Sequence, residues 1–187
     1  MTGFIQFCEQ FSPLDDKALS ELSKAATVKN YKKGQYLLNR NRTCKHLFYI
    51  NKGLVKIFFM DGEKEFVMRF FAENVMFSVF ESYLTQTPSK FMLVALEDTT
   101  VTLIPYAVME DLCKRHHSME TFFKKLLSIA CVKMTRRITQ MLEGDAQKRY
   151  DLFIKENKAL IQRISFGEIA KYVGITQQSL SRIRAKR

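Results

Sequence analysis

Residues 165–187 read SFGEIAKYVGITQQSLSRIRAKR, and the spacing predicts two short helices joined by a sharp turn. Ser165 can cap the first helix, and Glu168 three residues on completes a capping box. Ile169, Ala170 and Val173 share one face at helical spacing. Gly174 stands where this helix must stop, the one residue type that takes a left-handed conformation at little cost. Ile175 anchors the turn, and Thr176 can cap the second helix. In that helix Leu180 and Ile183 form the buried edge, while Gln178, Ser181 and Arg182 face the opposite way.

An exposed face of Gln, Ser and Arg suits the DNA major groove, because Arg bonds bidentately to guanine, Gln to adenine, and Ser to bases or phosphates. Two helices on a short glycine-containing turn, the second polar outward, is the helix-turn-helix pattern. Gln177, Gln178, Ser181 and Arg182 are expected to read bases, and Ser165, Thr176, Ser179, Arg184, Lys186 and Arg187 to meet phosphates. The competing reading is a helical hairpin with a solvated, incidentally basic face. The caps, small Ala170, Gly174 and the polar face occurring together favour double-stranded DNA as the partner.

Charge supports that division. The 187 residues carry a formal net charge of +11. Residues 1–113 hold 13 basic and 13 acidic side chains, whereas residues 114–187 hold 17 and 6. The whole excess therefore sits with the helix-turn-helix, beside a neutral N-terminal part that must do something else. No basic amphipathic helix carries the bulky apolar face that a membrane surface needs. The N-terminus lacks a signal-peptide pattern, and no apolar run approaches the ~20 residues that span a bilayer, so a cytoplasmic protein is expected. Cys8, Cys44, Cys113 and Cys131 are scattered, with no metal-ligand or redox spacing.

Working back along the chain, Ser12-Pro13-Leu14-Asp15 reads as a helix start, and Leu14, Ala18, Leu22 and Ala25 give that helix an apolar face. From Val28 the pattern changes to short β-branched or aromatic runs at 31–38, 47–50, 54–60, 65–71, 91–95 and 99–104. Asp61-Gly62 between two of them is a hairpin signal. Strands at this spacing predict an all-β sandwich or small barrel. Tyr106 to Cys113 reads as a short helix and Lys114 to Leu142 as a long one. Met119, Phe123, Leu127, Ala130 and Met134 mark a seam of roughly 3.5-residue period along it, which is either packed on its own domain or faces a partner helix in a homodimer. Glu143-Gly144-Asp145 breaks the helix, and a further helix follows to Lys155, with Tyr150, Phe153 and Ile154 inward.

This layout resembles the Crp/Fnr family of bacterial transcription regulators. GLVKIFFMDGEKEFVMRFF (53–71), QKRYDLFIKEN (147–157) and IAKYVGITQQSLSRIR (169–184) carry the resemblance, and the LSRIR ending is similar to a branch common in Bacteroidetes. It implies an α+β fold: an N-terminal cyclic-nucleotide-binding-like β-roll (1–113, a double-stranded β-helix or jelly roll), a dimerisation helix (114–142) and a C-terminal helix-turn-helix domain (143–187). It also implies a palindromic operator, a small effector in the roll, and RNA polymerase as a further partner. By resemblance Arg182 matches a guanine-contacting arginine.

Two departures shape the expectation. Cyclic-nucleotide-binding members carry a Gly-Glu pair and an Arg followed by Ser or Thr. Here Ser78-Val79 and Ser89-Lys90 stand in those places within FSVFESYLTQTPSKFML. Cyclic AMP is therefore not expected. One N-terminal cysteine does not match an iron–sulfur cluster, and His46 alone in the roll, with a solvated pair at His116-His117, does not match haem. No cofactor is expected, and any effector pocket is expected around Phe77, Ser78, Phe80, Glu81, Ser89 and Lys90. The chain also ends directly after the recognition helix, where winged members continue. Backbone contacts are then expected from Lys148, Arg149, Lys171 and Arg184 besides the terminal pair. A metal-dependent enzyme of the cupin type needs about four convergent ligands, which one roll histidine does not supply. A roll that regulates a protein partner is the alternative, against which the basic recognition face speaks.

Overall fold

The computed structural model describes residues 2–185. The N-terminal part contains α1 (Thr2–Phe11), α2 (Asp16–Ala25), β1 (Thr27–Tyr31), β2 (Tyr36–Leu38), β3 (His46–Lys52), β4 (Val55–Asp61), β5 (Lys64–Phe71), β6 (Met76–Phe77), α3 (Phe80–Thr85), β7 (Met92–Ala95) and β8 (Thr99–Pro105). Then come α4 (Tyr106–Arg115), α5 (His117–Glu143), α6 (Ala146–Glu156), α7 (Phe166–Val173) and α8 (Gln177–Ala185). The strands form two four-stranded antiparallel sheets, ordered β1-β8-β3-β6 and β2-β7-β4-β5. Together they make the expected β-roll.

The β4–β5 hairpin forms where Asp61-Gly62 predicts one. Asp61 pairs with Lys64, so the two turn residues are Gly62 and Glu63, with Gly62 at φ +58°. That positive φ in the first turn position is what a tight two-residue hairpin requires. Further along the same pair, Ile57 opposes Arg69 and Phe58 opposes Val67. Met68 is the extra residue of a β-bulge, a feature that re-aims neighbouring side chains.

Three expectations about the helices need correction. The first concerns α1, which the sequence reading did not anticipate. Residues 47–50 of β3 are buried on both faces, because Phe48 stacks on Phe77 within the roll while Tyr49 lies under Phe4 and Phe7 of α1. Fully burying a large apolar side chain such as Phe4 contributes roughly 1.5–3 kcal/mol, which is what holds this short helix down. The second concerns α2, which begins at Asp16. Asp15, not Ser12, is its cap and accepts the Ala18 amide at 2.8 Å. Third, the long helix does not run unbroken from Lys114. His116 is extended (φ −130°, ψ 113°); its amide closes α4 on Leu112, and its carbonyl opens α5 by accepting from Met119 and Glu120. His116 is also no solvated residue, since its ring is packed between Asp15 and Glu21, 3.4 and 3.6 Å away.

Two apolar clusters organise the molecule. One lies within the roll and takes in α1, α2, α4 and the first half of α5. The other lies on the outer face of the β2-β7-β4-β5 sheet, where Phe58, Val67, Phe70, Met92 and Val94 meet Tyr150, Phe153, Ile169, Tyr172 and Val173 of the C-terminal helices. The boundary near residue 113 is thus not clean: Met119, Phe122 and Leu126 of α5 are buried in the roll core. No helix among the described residues is long and apolar enough to cross a membrane.

Candidate nucleic-acid interface and adjoining cavity

α6, α7 and α8 form the C-terminal unit. Asp145 caps α6 by accepting the Lys148 amide at 2.8 Å. Ser165 caps α7, its Oγ accepting the Glu168 amide at 3.3 Å. α7 ends at Gly174 in the left-handed region (φ +81°), and the amides of Gly174 and Ile175 both donate to the Ala170 carbonyl. Thr176 Oγ1 accepts the Ser179 amide at 3.1 Å and so starts α8. Leu180 is fully buried beneath this helix and Ile183 half-buried, while Gln177, Gln178, Ser181, Arg182 and Arg184 are exposed on it. The fold therefore presents the polar face outward, as the sequence predicts. Lys186 and Arg187 lie outside the described residues.

Several neighbours are already committed. The hydroxyls of Ser165, Thr176 and Ser179 serve the helix starts, with Thr176 Oγ1 3.0 Å from Ser179 Oγ. The capping box is half made, because the Glu168 carboxylate turns to Lys56 and Lys171 instead of closing back on the helix start. Lys171 also reaches Glu65 at 3.0 Å, and Arg149 donates to the carbonyls of Val173 and Gly144. Neither cation is then a free phosphate ligand, whereas Lys148, Arg182 and Arg184 remain exposed. Gly167 was overlooked by sequence reasoning. A Cβ there would lie 2.1 Å from Gln177 Nε2, so the glycine lets the Gln177 side chain lie across the first turn of α7. The signal was a glycine in a helix start where it costs stability for no local reason.

The unit is docked on the roll through more than apolar contact. Lys56, only 5% exposed, donates to Glu65 at 2.5 Å and to both oxygens of Glu168 at 2.8 and 2.7 Å. Arg137 of α5 donates to the carbonyls of Tyr172 and Val67, and its guanidinium lies 3.7 Å above the Tyr172 ring centroid. Arg163, in the α6–α7 connection, grips Glu73 in a bidentate pair at 2.8 and 2.9 Å and also bonds Glu97. Arg163 holds the Glu73 carboxyl down at about 2 from its ordinary 4.5, helped by the Gly53 amide. A carboxyl depressed in the folded state contributes stability that is complete above its unfolded pKa and is lost as pH falls through the folded value. The melting temperature is therefore expected to drop between about pH 4.5 and pH 2 more steeply in the native chain than in Glu73→Gln. Parallel acid melts of the two proteins would contradict this.

A cavity of about 210 Å³ lies between the roll and α5. Phe77, Ser78, Phe80 and Glu81 line it, together with Phe71, Leu126 and Ile129. The Ser78 hydroxyl, however, is spent on the His46 carbonyl and Cys44. Ser89 and Lys90 are not part of the lining. Ser89 is buried, its carbonyl accepting the Asn41 amide and its amide donating to the Arg42 carbonyl, and Lys90 extends over the rings of Phe59 and Phe91. The cavity's cations are instead Arg69, Lys133 and Arg137, which the sequence reading did not single out.

The apolar stripe of α5 divides between the roll and the surface. Met119 is fully buried in its own roll and Phe123 packs beside Tyr83, so these two serve the chain itself. Leu127 and Ala130 are half-buried and Met134 is 57% exposed. Ile138 and Met141 are exposed too, and with Leu127, Cys131 and Met134 they follow a 4-3-4-3 spacing along the second half of α5.

Residues 28–116 match the cyclic nucleotide-binding domain family. Among solved structures, the fold is similar to FixK2 from Bradyrhizobium japonicum (TM-score 0.76, 15% identity, 86% of this chain and 83% of that one). A protein from Eubacterium rectale described as a transcriptional regulator of the Crp/Fnr family gives a TM-score of 0.77 at 18% identity, over 95% of this chain and 87% of the other. The c-di-GMP responsive global regulator CLP of Xanthomonas campestris gives 0.72 at 17% identity, over 92% and 91%. At such identities the likeness is one of fold. Comparison with curated proteins gives no match.

Proposed function

We propose that the chain is a sequence-specific DNA-binding transcription regulator of the Crp/Fnr type, acting in the cytoplasm as a homodimer on a palindromic operator. The observation that carries this reading is α8: a capped, well-seated helix whose outward face is Gln178, Ser181 and Arg182, with Gln177 at its start turned towards Gly167 of α7. The C-terminal concentration of positive charge supplies the attraction to a polyanion. The outward 4-3-4-3 seam of α5 supplies the second copy, which sets two recognition helices about 34 Å apart, one turn of duplex. The cavity is read as the effector site. Its apolar wall and the absence of the family's Gly-Glu and Arg-Ser pairs argue for an effector other than cyclic AMP, and neither haem nor an iron–sulfur cluster is invoked.

The test is selection of bound duplexes from a random pool, with a palindromic consensus as the expected outcome. Arg182→Ala should then cost about 1–3 kcal/mol at one operator position and relax selectivity there. Arg184→Ala should weaken all sequences alike and lower the salt slope by roughly one unit. A uniform loss from Arg182→Ala across all single-base variants would make Arg182 a phosphate anchor. Mild oxidation checks the seam directly. Cys131 lies on it and is exposed, so a parallel pair of α5 helices should cross-link through that thiol into a covalent dimer that Cys131→Ser abolishes.

A further inference from the structure

The cavity between the roll and α5 combines an apolar wall with cationic side chains. Phe71, Phe77, Phe80 and Leu126 belong to that wall. Arg69 and Lys133 line it as well, and both reappear in an adjoining cleft of similar volume with Arg136 and Arg137. Among the described residues no hydrogen bond or ion pair reaches the side chain of Arg69 or Lys133, and the Arg69 guanidinium lies 5.4 Å over the Phe71 ring centroid. Glu81 lines the cavity and Glu156 the cleft; neither forms an ion pair with these cations, and the Glu156 charge acts on Arg69 from a distance. Arg137 adds a buried Nε that has no acceptor.

Three physical points converge. Partial desolvation lowers the affinity of both for their protons, Arg69 half-buried and Lys133 at an exposed position of α5, and repulsion from Arg69 lowers Lys133 further. The arrangement is nevertheless built in, because the bulge at Met68 places Met68 and Arg69 together in the lining. Clustered cations in a partly desolvated site are stabilised by an anion that pairs with them, most strongly through a bidentate arginine contact. A bare inorganic anion would surrender its hydration to an apolar wall, whereas an anion with an apolar body would not. Size is bounded too: an engineered cavity of about 150 Å³ takes a benzene ring, so this one suits roughly ten non-hydrogen atoms.

We propose that the cavity binds an amphiphilic organic carboxylate, its apolar body against Phe71, Phe77 and Phe80 and its head between Arg69 and Lys133. This deepens the effector reading given above and rests on it. It also gives the site a physical route to the DNA-binding unit. Lys133 lies one helical turn before Arg137, which holds the Tyr172 carbonyl of α7.

The test is titration calorimetry on the full chain with octanoate, octanol and octylammonium, followed by octanoate on variants. Octanoate is expected to bind with a Kd of roughly 10–100 µM. Octanol should bind at least about tenfold more weakly and octylammonium more weakly still. Arg69→Gln and Lys133→Gln should each weaken octanoate about tenfold or more, while Lys90→Gln, outside the cavity, leaves it unchanged. Melting temperatures of the variants show whether each is folded, and Arg69→Lys should retain part of the affinity that Arg69→Gln loses. Equal binding of octanol and octanoate, no octanoate binding, or unchanged binding by folded Arg69→Gln and Lys133→Gln overturns the proposal. The same proteins are passed through the duplex selection without ligand. A palindromic consensus with no octanoate binding refutes the ligand alone; octanoate binding with no DNA selected refutes the regulator reading alone.

Discussion

Replacing Met134 and Ile138 together with glutamate should yield a folded monomer whose operator affinity is about 10²–10⁴-fold lower, the loss expected when two linked half-site contacts become one. The two residues are 57% and 55% exposed and also border the cavity beside the roll, so the melting temperature of the double variant is measured alongside to show that the single chain stays folded. In a dimer along the α5 seam, each chain would instead bury two unpaired carboxylates at an apolar interface, a cost that association cannot absorb. Sedimentation gives the mass and a mobility shift on the selected duplex gives the affinity. A double variant that stays dimeric and binds normally would move the interface away from α5. Met119 is unsuitable for this experiment, because it is fully buried in the roll, and changing it would unfold the chain it was meant to separate.

The second large effect is expected at Lys56. Lys56→Met leaves Glu65 and Glu168 facing one another with only Lys171 between them, and breaking a buried pair by removing one partner costs about 3–5 kcal/mol. Denaturant unfolding measures it. The control is Lys32→Met, whose partner Asp98 lies in a pair with 78% and 65% of the side chains exposed; it should cost less than about 1 kcal/mol. Removing all three charges, as in Lys56→Met with Glu65→Leu and Glu168→Leu, should recover much of the loss, since apolar replacements of a buried ionic group are often neutral. A Lys56→Met protein as stable as the parent would show that the lysine is not holding the unit to the roll.

What could be read from the amino-acid order follows a physical divide. Ser165, Gly174, Thr176 and the Asp61-Gly62 hairpin act within four residues of themselves, so their signals are local and the elements appear where expected. Lys56 meets Glu168 across 112 positions, and Arg163 meets Glu73 across 90. No period or spacing connects such pairs, and the docking of the C-terminal unit was invisible for that reason. α1 was legible in principle, since Phe4, Phe7, Cys8 and Phe11 recur at helical spacing, but Gly3 and the lack of a polar cap hid its start. On α5, periodicity locates an apolar stripe without saying what covers each turn: Met119 and Phe123 pack on the roll, while Met134 is exposed. Arg69 was passed over inside the run FVMRFF, where one arginine among apolar residues was the available sign that the strand borders something charged.

The cluster on the outer face of the β2-β7-β4-β5 sheet bears on how this protein can be taken apart. Residues 143–187 bury Tyr172, Phe153 and Ile169 against Phe58, Val67 and Phe70 of the roll, and so small a unit has little core of its own. The C-terminal helical unit is accordingly not a portable cassette. Grafted onto another sensor, it would carry an apolar underside that only this sheet covers, and any chimera must bring the faces of β4 and β5 along with it. Inheritance works under the same restriction: an exchange point placed near residue 143 severs a shared core, so the roll and the C-terminal helices of this chain travel together.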